Sequence, residues 1–264
     1  MKTPRIIYLF YYLKKLDWKK FRLFLNYASD RTARSKGSLL LDNFKSVLVY
    51  NISILDYFYF RFFEKTKSER RNWAGTGYLY EYQLKMNPRQ ARMVLEDKIQ
   101  FLQHFGPFFR RQYSDIQTVK SDPDLLKQLM ENPSGRLVLK GSRGQVGAEV
   151  EVIACKDFSP ADLIDYMMEK DYDLLEEYVV QHQSVMALSP SGLNTVRVFT
   201  QIHQGEIHFL GARFRISVNS PVDNMGAGNL AAPVDISSGR LCGPGVYRDI
   251  TKGEVAIHPV TGQV

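Results

Sequence analysis

Residues 136–154 read RLVLKGSRGQVGAEVEVIA, and this stretch decides the fold. Residues 136–140 (RLVLK) predict a strand, and residues 148–154, in which apolar and polar side chains alternate, predict the returning strand of a hairpin. Glycines recur in the loop between them, where they let backbone N–H groups approach an anion, and Lys140 adds a positive charge at the strand end. The pattern predicts a loop that can fold over a triphosphate. Taken alone, it more often belongs to a flexible hairpin with a solvated lysine.

The composition of the 264-residue chain changes near residue 115. Of its 33 Phe, Tyr and Trp residues, 25 lie at or before Tyr113, whereas 14 of its 18 glycines lie at or after Gly135. The first part is therefore predicted to consist of aromatic-rich helices, and the second of strands joined by glycine loops. The fold class expected from this order is α+β.

Positive charge is concentrated in residues 1–37. This segment holds ten Lys and Arg against Asp17 and Asp30, a net charge of +8, while the whole chain carries +7, so residues 38–264 sum to −1. Tyr8, Phe10 and Trp18 lie among these cations. Basic helices with aromatic residues are typical of anionic membrane surfaces, and the alternative is that the apolar residues pack on the body while the lysines are solvated. No base-reading motif accompanies the segment, so no specific nucleic-acid partner is expected.

The cysteines and the lengths of the apolar runs indicate the cellular compartment. The two cysteines, Cys155 and Cys242, form no CxxC pair, which favours a reducing compartment and a cytoplasmic protein. No apolar run approaches the ~20 residues that span a bilayer. The short run 6–13 is followed by Lys14 and Lys15 without a small-residue cleavage site, so a cleaved signal peptide is not expected.

Four segments of the first part carry helix signals. Residues 9–25 predict one basic, amphipathic helix, and the aromatic run 56–63 predicts a buried segment. The charged run 64–71 is interpreted as a solvated helix end, and Asn87-Pro88 is predicted to start a helix over 89–105.

Two groups of polar residues follow the hairpin. The stretch 176–179 (EEYV) is predicted to be a strand that offers carboxylates and backbone groups to an adenine, or else a half-buried strand with a charged outer face. Thr195 and Arg197 share one face of a strand, as do Arg213 and Arg215 on its neighbour. Paired strands with arginines favour an anion held in a cleft, and the alternative is an outward basic face balanced by Glu149 and Glu151.

The sequence gives no clear metal site. Asp223-Asn224 precedes Gly226 and Gly228, a combination that suits substrate or phosphate binding but also a plain turn. The five histidines are scattered and show no metal-ligand spacing, so the metal ligands stay unknown.

Taken together and in this order, these stretches resemble the sugar-transfer-associated ATP-grasp family, which is found with surface-polysaccharide biosynthesis and is related to α-L-glutamate-ligase-like proteins. The resemblance extends from about Asp56 to the last residue. Its most specific stretches are EEYVVQH (176–182), LNTVRVFT (193–200), VDNMGAG (222–228), PVDISSGRL (233–241) and HPVTG (258–262).

The resemblance implies a role for each matching residue. Lys98 and Lys140 resemble the two lysines that contact the nucleotide, and Arg197 and Arg215 resemble the arginines that neutralise the transferring phosphoryl group and the acyl phosphate. Asn224 resembles the asparagine before the glycine pair. The remaining implied nucleotide contacts are the flap residues Gly141, Ser142, Gly144 and Gly147 and the adenine hinge Glu176, Glu177, Tyr178 and Val179.

The resemblance also implies an architecture: a helical region over 1–90, a small lobe over 91–180, and an incomplete large lobe over 181–264. Two features depart from the family pattern. The expected glycine pair is Gly228-Asn229 here, and no Glu-x-Asn follows HPVTG before Val264, although the family holds magnesium there. We interpret this as a C-terminally truncated product, and an intact chain that has lost catalysis is the other interpretation.

The function implied by the resemblance is an Mg-ATP-dependent ligase that activates a carboxylate as an acyl phosphate. Its substrate is expected to be a small molecule or a lipid-linked glycan used in cell-surface polysaccharide or glycoconjugate biosynthesis, and its cofactors ATP and Mg²⁺. Two alternatives stay open: a kinase on the same fold, and a non-catalytic protein that attaches to an anionic membrane through residues 1–37. Attachment at the inner membrane face is compatible with the ligase as well.

Overall fold

The computed structural model describes residues 4–143 and 150–263. The chain divides into two compact units. The first runs to Arg89 and includes the returning segment Val246–Glu254, and the second comprises Gln90–Gly245 with the residues from Val255 onward. The division into 1–90, 91–180 and 181–264 stays a prediction.

The first unit is helical. Its helices are α1 (Arg5–Lys14), α2 (Trp18–Thr32), α3 (Lys36–Tyr50), α4 (Asp56–Tyr59), α5 (Lys67–Arg70) and α6 (Thr76–Met86), with a 3-10 turn at Phe62–Glu64. The prediction of one basic helix over 9–25 is wrong, because α1 ends at Lys14 and a new helix begins at Trp18. The Asp17 side chain caps α2 by accepting a hydrogen bond from the Lys20 N–H (3.0 Å).

Aromatic side chains fill the core of the first unit. Phe24, Tyr57, Phe58 and Phe62 are buried, as the aromatic run predicted, and their rings meet edge to face or tilted. Ile250 joins this core, which ties the returning segment to the unit.

Arg70 contradicts the prediction of a solvated helix end over 64–71, because its side chain is buried. The guanidinium forms two bonds to the Asp42 carboxylate (2.7 and 2.9 Å), which also accepts the Tyr57 hydroxyl (2.8 Å). Charge neutralisation therefore lets a cation enter an aromatic core.

The second unit contains the first sheet and three of the four strands of the second sheet. Its helices are α7 (Arg89–Arg92, begun at the last residue of the first unit), α8 (Lys98–Phe105), α9 (Ile116–Ser121), α10 (Pro123–Met130), α11 (Pro160–Glu169) and α12 (Gln183–Leu188). Its strands are β1 (Tyr113–Asp115), β2 (Arg136–Lys140), β3 (Val150–Ala154), β4 (Leu174–Glu177), β5 (Thr195–His203), β6 (Glu206–Ile216) and β7 (Leu230–Val234); the two-residue β8 (Val246–Tyr247) lies in the returning segment. The α+β fold class is confirmed.

The predicted helix over 89–105 is divided. A short helix and a 3-10 turn (Met93–Leu95) precede α8, which begins anew where the Asp97 carboxylate accepts the N–H groups of Ile99 and Gln100 (3.0 and 3.1 Å). Lys98 therefore occupies the first turn of a separate helix rather than the middle of a long one.

The first sheet is antiparallel with the order β1-β4-β2-β3. The predicted hairpin is confirmed in its described part, where Val138 lies opposite Val152 on β3 and opposite Glu176 on β4. Helices α10 and α11 cover one face through a core that includes Leu126, Leu163 and Leu139.

The second sheet is built on the hairpin of β5 and β6, with β7 antiparallel to β6. The turn falls at Gln204-Gly205, and both residues have a positive φ (53° and 85°), which suits a tight hairpin turn. Among the described residues, no helix is long and apolar enough to cross a membrane.

Candidate functional site

A buried charge cluster lies at the centre of the first sheet. Lys140 and Glu176 share a face of β2 and β4, and the Lys140 ammonium donates to the Glu176 carboxylate at 2.7 Å. Arg111 donates to the same oxygen at 2.9 Å. Burial would raise the pKa of Glu176, but the two cations outweigh it and hold that pKa below its ordinary value. Two cations against one carboxylate leave this cluster with a net positive charge.

Lys98 holds the start of the glycine loop. Its ammonium donates to the carbonyl oxygens of Gly141 (2.6 Å) and Ser142 (3.2 Å), and its backbone N–H donates to Ser142 as well (3.0 Å). Asp173 fixes the loop from the other side, because its carboxylate accepts both the N–H and the hydroxyl of Ser142 (2.5 Å each). Gly144 and Gly147 lie outside the described residues.

A cavity of about 570 Å³ opens beside this loop. Its lining is Asp97, Ile99, Gln100, Gly141, Ser142, Arg143, Asp171 and Asp173. Three carboxylates face one guanidinium there, and neither Lys140 nor Glu176 lines it. The cavity is large enough for a small ligand, but its charge does not suit a triphosphate.

The predicted adenine hinge begins at the end of β4. Glu177 exchanges hydrogen bonds with Gln112, its N–H donating to the carbonyl (2.9 Å) and its carboxylate accepting the N–H (3.2 Å). The Arg136 guanidinium lies over the Tyr178 ring at 5.4 Å. In the part of the chain that the structure describes, neither the N–H nor the C=O of Val179 has a hydrogen-bond partner. An unpaired donor and acceptor on one residue match the edge of an adenine.

Arginines are concentrated on one face of the second sheet. In the register of β5 and β6, Thr195 lies opposite Arg215 and Arg197 lies opposite Arg213, so all four side chains share a face. Arg215 pairs with the Asp223 carboxylate at 3.0 Å, and the Thr195 hydroxyl donates to that carboxylate.

Arg197 and Arg213 are exposed and face each other directly, and within residues 4–143 and 150–263 neither has an ion-pair partner. Glu151, which would balance them in the alternative interpretation, instead accepts the hydroxyls of Tyr166 and Tyr172 (2.9 and 3.1 Å) in the other sheet. Glu149 lies outside the described residues. This face therefore favours an anion.

Two asparagines organise the loop after β6: Asn224, which was predicted to be a site residue, and Asn229, which was not. Asn224 caps a 3-10 turn by accepting the Gly226 N–H (2.8 Å). The buried Asn229 amide donates to the carbonyls of Val222 (2.5 Å) and Asn224 (3.0 Å). The residue that replaces the second glycine of the family pair thus holds the loop that presents Asp223.

The predicted site residues fall into two groups. The first sheet brings together Lys140, Glu176 and the Lys98-bound loop, and the second brings together Arg197, Arg215 and the Asn224 loop. Sequence reasoning missed Arg111, because nothing in the run FFRR (108–111) announces a partner for Glu176. It missed Asp173 for the same reason, since both contacts are long-range.

The described residues do not fit a magnesium site made of protein ligands. None of them form a group of three or more His, Cys, Asp or Glu side chains that could hold a metal ion. Asp223 is occupied by Arg215 and Thr195. The Asp235 carboxylate accepts the hydroxyls of Ser237 and Ser238, which lower its pKa to about 2.

Comparison with known protein families gives one match. The family model of sugar-transfer associated ATP-grasp proteins matches residues 79–264. Comparisons with curated proteins and with solved structures find no match.

Proposed function

The chain belongs to the sugar-transfer associated ATP-grasp family, and from this premise we propose that it activates a carboxylate with ATP. The proposed reaction forms an acyl phosphate that an amine or another nucleophile then attacks. The proposed substrates are small-molecule or lipid-linked precursors of cell-surface polysaccharides or glycoconjugates. Membership of this family supports an ATP-dependent, ligase-type function in sugar transfer.

The observation that carries the proposal is the direct opposition of Arg197 and Arg213. Like charges directly opposite each other destabilise a strand pair, and no carboxylate of the described chain compensates them. A bound phosphate or carboxylate removes this repulsion, and guanidinium groups bind such oxyanions with two parallel hydrogen bonds.

The first sheet supports a nucleotide. Val179 offers its free N–H and C=O to adenine, and the net positive cluster around Lys140 attracts phosphate oxygens. We propose that Lys140 exchanges part of its contact with Glu176 for a phosphate oxygen when ATP binds, while Arg111 keeps the Glu176 carboxylate neutralised.

The proposed reaction has two steps. A carboxylate oxygen of the substrate attacks the γ-phosphorus, the bond from that phosphorus to the bridging oxygen breaks, and ADP leaves with the bond's electrons. The nucleophile then attacks the acyl carbon, inorganic phosphate leaves, and an amine gives up one proton. Arg197 and Arg215 stabilise the charge that develops on the transferring group, which is positioning and electrostatic catalysis.

Nucleotide binding is tested by thermal unfolding with increasing ATP. A ligand at ~100 times its Kd adds about 2.7 kcal/mol to the free energy of unfolding, so the unfolding temperature should rise in the parent. Lys140→Ala should bind ATP more weakly. Lys120→Ala, at an exposed lysine in α9, is the matched control and should behave like the parent. Unchanged affinity in the Lys140 variant would count against the proposed site.

The chemistry is tested by incubating the protein with ATP, a panel of uronic and amino acids, and hydroxylamine. An acyl phosphate yields a hydroxamate, whereas the alternative kinase reaction yields a stable phosphate ester. Arg197→Ala should mainly lower turnover, while Arg71→Ala, at an exposed arginine just after α5 and outside the matched family region, should not. A phosphate ester without hydroxamate would replace the ligase with a kinase.

A further inference from the structure

The outer face of α1 is apolar where the surface helix of a soluble protein is usually polar. Its inner face, including Leu9 and Leu13, packs against the aromatic core of the first unit. The opposite side exposes Ile7 (53%), Phe10 (67%) and Tyr11 (58%). The segment therefore packs on the first unit and also presents large apolar side chains outward.

A contact between Arg5 of α1 and the end of α3 holds the outer face in place. The Arg5 guanidinium donates to the last-turn carbonyls of α3, Leu48 (2.7 Å) and Val49 (2.5 Å). The side chains of Leu48 and Val49 are themselves exposed beside this contact. The apolar surface of α1 is therefore fixed on α3 and continues onto it.

Cations without partners follow the apolar side chains along the chain. Lys14 and Lys15 end α1, and Lys19 and Arg22 lie in the first turns of α2; all four are exposed, and none has an ion-pair partner among the residues that the structure describes. Trp18, at the start of α2, is 52% exposed and meets Phe21 edge to face at 5.9 Å.

We infer that this surface docks on an anionic lipid bilayer. The docking face consists of Ile6, Ile7, Phe10, Tyr11 and Trp18 with Lys14, Lys15, Lys19 and Arg22. Its apolar and aromatic side chains enter the headgroup boundary, while the cations contact lipid phosphates. The helix lies in the plane of the surface, since its inner face is already packed.

The charge of the docking face decides between occupants. A second copy of this chain would bring the same unpaired cations together, because a symmetric interface pairs each patch with itself. A nucleic acid would use the cations but gains little from exposed isoleucines. An anionic bilayer is the partner that complements both the apolar and the cationic residues. This inference does not depend on ATP or on the proposed reaction.

The test is cosedimentation of the full chain with vesicles of phosphatidylcholine, with or without phosphatidylglycerol. The chain should sediment with the anionic vesicles, weakly with the neutral ones, and less as salt rises. Phe10→Ser should weaken binding about ten-fold through lost apolar contact. Lys14→Gln with Lys15→Gln should weaken it about twenty-five-fold, at ~five-fold for each basic residue near the surface.

Matched control variants distinguish binding through the docking face from nonspecific binding of the protein to vesicles. Phe108→Ser removes a more exposed phenylalanine (82%) in the second unit, and Lys120→Gln with Lys156→Gln removes the same charge there. These variants should bind like the parent, and all should keep the parent's unfolding temperature. The inference is overturned if the chain does not sediment with anionic vesicles, or if the control variants lose as much vesicle binding as the docking-face variants. It is also overturned if Phe10→Ser abolishes a dimer seen by sedimentation velocity without affecting vesicle binding.

Discussion

Glu176 is the residue on which the first half of the site depends. It is 4% exposed and shared by Lys140 and Arg111, so we expect Glu176→Gln to lower the free energy of unfolding by about 3 kcal/mol at neutral pH. The two cations are partly exposed, which keeps the loss near the lower end for broken buried pairs. Denaturant unfolding of the variant measures it, with the exposed Glu131→Gln as control.

The acid dependence of stability checks the same residue. Because the folded pKa of Glu176 is lowered, its contribution is complete above the unfolded pKa of about 4.3 and is lost as the pH falls through the lower folded value. The parent should therefore lose its advantage over Glu176→Gln in that acid window. A stability difference that stays constant down to pH ~2 would contradict the assignment.

Single residues also mark the limit of sequence reasoning. Lys140 and Glu176 were identified from motifs, but Arg111 and Asn229 act through contacts that no local pattern encodes. Arg70 was predicted to be solvated because its neighbours are charged, yet a carboxylate far along the chain takes it into the core. Long-range neutralisation overrides local polarity.

At the scale of elements, the β5–β6 pair should carry a measurable electrostatic strain. Replacing Arg213 with Thr, a good strand former, should raise the free energy of unfolding by about 0.5 kcal/mol at low salt, because it removes a like-charge pair. The same variant should gain less stability from added phosphate than the parent does. Thermal unfolding with and without phosphate measures both effects, and equal responses would contradict the anion site.

The loop before β5 depends on close backbone approach. A Cβ at Gly192 would fall within 3 Å of the Ser220 carbonyl and of the Pro221 backbone. Gly192→Ala should therefore cost about 2 kcal/mol, as overpacking against backbone usually does. Gly211→Ala, on β6, meets nothing within 4 Å and serves as the control in the same denaturant experiment.

Elements were predicted best where the pattern was local. Strands β2, β5 and β6 were expected from the residues of each segment alone. The single helices predicted over 9–25 and 89–105 are each divided in the structure. The carboxylates of Asp17 and Asp97 cap the new helices that begin inside these apolar runs. An aspartate inside a periodic apolar pattern does not by itself predict a helix start, although in the structure its side-chain hydrogen bond fixes where the new helix begins.

At the scale of the whole molecule, the two proposals concern different units. We expect ATP to slow hydrogen exchange in 176–180 and in the β5–β6 strands of the second unit, and anionic vesicles to slow it in α1 of the first. Mass spectrometry of peptides from the full chain measures both. Protection of α1 by ATP alone would mean that the two functions are not separate.

The placement of Trp18 has a spectroscopic consequence. The chain has two tryptophans, Trp18 and Trp73, and both lie exposed in the first unit (52% and 41%). Trp73 is stacked near Phe60 and Lys65, so a Trp73→Phe protein would leave the indole of the docking face as the single emitter. Its fluorescence would shift to shorter wavelength when that indole leaves water, and the second unit, which has no tryptophan, would contribute no competing signal.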